Sequence, residues 1–170
     1  MSVSMYEIAA PVFTQQMTAL AAILEIAEAH CAEHKIEEPA VLQMRLFPDM
    51  FPMARQIKQA VGHAGGAMAR LAGEEAPAPV DEGTSFAECK GQVAATLEAI
   101  GGFTAAQLEG SEGKEVELVR PSGTTTMMGI DYLLHNAIPQ VCFHVTTTHD
   151  ILRHCGVELG KRHYLSPIPK

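Results

Sequence analysis

Met53–Ala72 reads MARQIKQAVGHAGGAMARLA. Met53, Ile57, Ala60, Val61, Ala64, Met68 and Leu71 recur every three or four residues, so at about 100° per residue they share one face of an amphipathic helix. Gly62, Gly65 and Gly66 lower its helix propensity but allow a neighbouring backbone to come close. Such a stripe has to be buried against other elements, and what flanks it decides the fold class.

Upstream, Ile8, Val12, Leu20, Ile23, Leu24 and Ala27 predict a first long helix over about residues 5–34, its main part starting near Pro11. Residues 40–46 read as a connector, with Asp49 expected to cap the second helix and Pro52 in its first turn. Downstream, residues 76–83 form a loop, and Ser85 to Glu88 fits an S-x-x-E capping box opening a third helix that stops at Gly101-Gly102. One short turn is expected at 104–108. Segments 116–120 and 124–128 flank Pro-Ser-Gly, a β-hairpin pattern and the only strand signal. Two strands are marginal alone, so the hairpin should lie on the helices. The last element, 129–155, is kinked or divided by Pro139 and ended by Gly156. The tail beyond it is expected to pack Leu159, Tyr164 and Leu165. The sum is an all-α four-helix bundle with a small β-hairpin insertion before the last helix, one domain over residues 1–170.

Composition fits this. Apolar residues make up 47% and charged residues 19%, a globular balance, and only 5% are aromatic, so Ala, Leu, Ile, Val and Met fill the core. A net charge of −8 without a basic stripe argues against nucleic acid as partner. Cys31, Cys89, Cys142 and Cys155 are widely spaced and read as reduced thiols. With neither a secretory signal pattern nor a membrane-length apolar run, the expected location is the cytoplasm, away from membranes.

Histidine is the residue type on which chemistry could rest. His30 and His34 lie at the ragged end of the first helix. On the last helix, Gln140, Thr148, Ile151 and Ala137 all fall within about 40° of His144, an inward face, whereas His135 and His149 fall on roughly the opposite side. His144 is therefore either a buried histidine satisfied by a neighbour or a ligand that needs donors from other helices. His63 flanks the second helix's stripe and is the candidate second donor. Glu88, Asp131 and Asp150 cannot be placed from sequence. Cys142 lies about 160° from His144 and cannot pair with it, and a turn accounts for Ser122 and Gly123.

The runs FPDMFPMAR (47–55) and FHVTTTHDILRHCGV (143–157), with the opening SMYEIAAPVF, resemble the bacterial DUF1993 family of DinB/YfiT-like bundles along nearly the whole chain. The resemblance implies a four-helix bundle and a homodimer. Wider DinB-like relatives often carry a three-histidine metal site, one ligand on the second helix and an H-x-x-x-H pair on the last. Carried over, His144 is the second of that pair, Gln140 stands where the first would be, and His63 is nearest to the second-helix ligand. Zinc or nickel would be the metal, and an amide such as Gln140 is a poor ligand for either. The expected function is a DinB-like protein binding a small molecule or a weak metal in the bundle core. The alternative is a divergent metal-dependent enzyme, a thiol-linked transferase or hydrolase, and a third reading is a structural module with no pocket.

Overall fold

The first helix does not wait for Pro11. In the computed structural model, which describes residues 3–120 and 123–165, α1 (Met5–His34) opens at Ser4. The Ser4 Oγ accepts the Glu7 N–H, and the Glu7 carboxylate accepts the Ser4 N–H in return, so this capping box outweighs the proline as a start signal. Pro11 lies inside α1 on the exposed side, where the backbone bond it forgoes faces water. A short α2 (Glu38–Leu42) follows, then α3 (Met53–Ala72). Its N-cap is Pro52 and not Asp49, because Pro52 still has extended backbone and the Gln56 N–H already bonds its carbonyl.

Ser85 caps α4 (Phe86–Gly102) through its Oγ, as the motif requires, but the Glu88 carboxylate reaches back one residue further to the Thr84 N–H and Oγ1. A tight turn at Ala105–Leu108 is capped by Thr104 and Gln107. Strands β1 (Glu115–Arg120) and β2 (Gly123–Met128) pair antiparallel, Val116 opposite Met127 and Leu118 opposite Thr125. Alternation turns Val116 and Leu118 into the core and leaves Glu115 and Glu117 outside. Pro121 and Ser122, assigned to the turn above, lie outside the described residues.

Pro139 neither divides nor ends the last helix. Helix α5 (Gly129–Tyr132) runs through a π turn at Leu133–Ala137 into α6 (Ile138–His154). The proline offers no N–H to the carbonyl four residues back and its ring crowds that carbonyl; the wider turn makes room for it. Gly156, at φ 90°, ends α6 with its N–H on the Arg153 carbonyl and the Val157 N–H on that of Leu152. A last short α7 (Lys161–Leu165) returns to α1, where Gln15 Nε2 donates to the Leu165 carbonyl at 2.6 Å. Leu159 is buried and Tyr164 packs on the core, but the Leu165 side chain is exposed, contrary to the sequence expectation.

Around the bundle, α1 packs on α4 and α6, and α3 on the same two. Lys90 Nζ on Glu28, 2.6 Å, joins the start of α4 to the end of α1, so these run antiparallel. Arg70 faces Tyr132 and Gln56 faces His144, so α3 runs antiparallel to α5 and α6. Glu82, four residues before α4, lies by Arg55 in the first turn of α3, so α3 and α4 start at the same end and run parallel. Residues 73–85 must therefore travel the length of the bundle between them. Arg55 meets Glu82 at 3.8 Å near the far end of that crossing. Phe13, Met17, Leu20, Ile23, Ile57, Met68, Phe86, Val93, Leu133 and Ile151 belong to one contiguous core cluster, each such side chain contributing about 1.5–3 kcal/mol on burial. No helix among the described residues is long and apolar enough to cross a membrane.

Candidate functional site

The polar seam of the bundle lies between α3 and α6. Gln56 and His63 are seven residues apart on α3, two turns and about 20° of rotation, so they stand in one row. Gln140 and His144 are one turn apart on α6. Helix packing brings His144 against the α3 row: its Nδ1 lies 2.7 Å from Gln56 Oε1, and its ring stacks on His63 with planes 5° apart and centroids at 5.5 Å. His144 and Gln56 are buried, His63 and Gln140 half-buried.

The network sets the proton positions. Gln56 Nε2 donates to the Phe51 carbonyl at 3.2 Å, which turns Oε1 toward His144. The His144 Nδ1 must then be the N–H donor, and Nε2 carries the lone pair. Burial, with the nearby His63 adding to it, pulls the His144 pKa down from 6.5 to about 4, so the ring is neutral near pH 7. The His144 carbonyl takes the Thr148 hydroxyl at 2.9 Å, and Phe143 stands edge-on to the imidazole at 5.4 Å. This is an oriented acceptor at the edge of a buried seam.

His144 and His63, paired in the sequence reading, do meet. Gln140 shares their side of α6, as its spacing implied. The carboxylates are elsewhere: Glu88 caps α4, Asp131 faces the exposed His135 at 4.0 Å, and Asp150 sits beside His149 at 3.3 Å. His30 and His34 stack on each other at the end of α1. His149 departs from its expected place, its side chain being only 13% exposed, because α6 is flanked on both sides by α1 and α3. Gln56 was missed. Its signal was available, as a second polar residue on the same flank of α3 as His63, seven positions earlier.

A three-imidazole metal site does not fit this donor set. Among the described residues no group of three or more His, Cys, Asp or Glu side chains converges. Around His144 stand one further imidazole and two amides, and neutral amides hold zinc or nickel weakly.

Comparison with known proteins agrees with the architecture. Residues 5–165 match DUF1993, a domain of unknown function. The chain belongs to the DUF1993 family. A DinB family member from Shewanella denitrificans, known from a crystal structure, is 33% identical to it and superposes with a TM-score of 0.89, covering 97% of this chain and 93% of that one. This DUF1993 chain therefore has the DinB-like bundle fold, hairpin insertion included. No curated protein matches it.

Proposed function

We propose that this DUF1993 protein is a binding protein that holds a small polar molecule at the α3–α6 seam, with His144 Nε2 accepting a hydrogen bond from an N–H or O–H group of the ligand. The supporting observation is the Gln56–His144 bond, which fixes the tautomer and leaves Nε2 an acceptor. The depressed pKa keeps it one throughout the neutral range. His63, stacked on the ring and half-buried, is the more exposed imidazole of the pair, and Gln140 offers an amide from the next turn of α6. A neutral imidazole between amides suits a neutral or cationic donor better than an anion, which would meet lone pairs. The same reading retains the homodimer that the family resemblance implies.

The test is a thermal-shift panel of small alcohols, primary amides and amines on the wild type and on His144→Leu, with metal content measured on freshly purified protein. Donor-bearing probes are expected to raise the melting temperature of the wild type only. About one zinc or nickel per chain, lost in His144→Ala, would overturn the proposal in favour of the metal-dependent enzyme.

A further inference from the structure

The chain has 12 Lys and Arg against 20 Asp and Glu, so a local excess of positive charge stands out. Where α6 hands over to α7, a cleft of about 430 Å³ is lined by Arg153, Glu158, Lys161, Arg162 and His163. Three cationic side chains meet one carboxylate there, a net charge of about +2 with neutral imidazole. The volume falls within the range of small-molecule sites, roughly 300–1,000 Å³. It lies roughly 14 Å along α6 from His144, taking nine residues at 1.5 Å each, and is separate from the seam.

The hydrogen bonds carry the argument further. Arg153 Nη1 donates to the Leu159 carbonyl at 2.8 Å, which holds the guanidinium at the cleft wall while using one of its five donors. The Gly160 N–H donates to His163 Nδ1 at 2.8 Å. With Nδ1 accepting, the ring's proton sits on Nε2. Yet the Arg162 Nε–H stands 3.4 Å from that same Nε2. Two N–H groups that face each other cannot bond to each other. Each N–H group is therefore left for a third partner, and an oxygen carrying negative charge drawn up beside either one accepts a charge-assisted bond, the strong kind.

We propose that this cleft binds the dianionic phosphate group of a small molecule, its oxygens shared among the N–H groups of Arg153, Lys161, Arg162 and His163. The net charge matches a dianion better than a single carboxylate. The test is calorimetric titration of the full chain at constant ionic strength with inorganic phosphate and with glycerol 3-phosphate, on wild type, Arg162→Gln and His63→Ala. One site per chain is expected, weakened at least tenfold in Arg162→Gln and unchanged in His63→Ala, which separates it from the seam. Arg162 is exposed, so its replacement should leave the unliganded melting temperature in place. Tighter binding of glycerol 3-phosphate identifies an organic phosphate as the ligand, and equal or tighter inorganic phosphate identifies the free ion. A response no greater than that to sodium chloride, or wild-type affinity in Arg162→Gln, would overturn the proposal.

Discussion

His144 Nδ1 donates to Gln56 Oε1 across 2.7 Å, a buried bond that ties the middle of α6 to the first turn of α3 over 88 residues of chain. Truncation at His144 leaves the Gln56 oxygen buried without its donor, which alone costs about 1–3 kcal/mol. The melting temperature of His144→Ala should fall accordingly, and that of Gln56→Ala for the mirror reason. Removing both polar groups, as in Gln56→Leu with His144→Leu, should cost less than the sum of the losses in Gln56→Leu and His144→Leu measured singly. Denaturant unfolding of the full cycle measures this, with a coupling of about 1 kcal/mol or more expected. Strict additivity would mean the bond is absent in solution.

Acid should act through the same residue. The folded pKa of His144 is lowered from 6.5 to about 4, so between these values the unfolded chain binds a proton that the folded chain refuses. Its contribution to stability is therefore fully present above pH 6.5 and is lost as pH falls toward 4, by about 3 kcal/mol at most. Unfolding curves from pH 7.5 to 4 should show this slope in the wild type and a shallower one in His144→Gln. In an NMR titration the His144 ring should hold its neutral shift down to about pH 5. A midpoint near 6.5 would place the ring in water.

The helix start after the hairpin has no room for a side chain. Gly129 donates its N–H to the Lys114 carbonyl at 2.8 Å, and a Cβ there would collide with the Ser111 backbone carbonyl. Gly129→Ala should destabilise by about 1–3 kcal/mol, the range for overpacking against groups that cannot swing aside. Gly91, exposed and with open space around it, is the control, and Gly91→Ala should be neutral or stabilising.

The protein is expected to run at twice its chain mass by light scattering at micromolar concentration. The Gly65 and Gly66 surface is already used inside the chain, Gly65 against Thr96 of α4 and Gly66 against Ala76 of the crossing segment. A dimer must therefore use other surface. A monomeric mass would refute the homodimer.

Helical periodicity made α1, α3, α4 and α6 legible, since each long element carries a stripe that needs a partner. Local competition between signals was harder to read. Ser4 with Glu7 outweighed Pro11, and Pro52 displaced Asp49, because a cap is decided by backbone geometry over one turn and not by residue preference alone. At the site, the inward face of His144 followed from spacing, and His63 as its partner from the family resemblance. Gln56 showed only as a second polar residue on the flank of α3 that carries His63, and what it bonds was settled by the helix opposite, which brings His144 to it.

The π turn at Leu133–Ala137 has a further consequence, one of phase. Tyr132 and His144 are twelve residues apart, and an unbroken α-helix would set them about 120° apart. The turn takes up one residue without advancing the rotation, which reduces the offset to about 20°. Both side chains can therefore face α3, Tyr132 toward Arg70 and His144 toward Gln56. A relative with a regular helix here should align with a one-residue gap in mid-helix, and only on the far side of that gap will its counterpart of His144 be found.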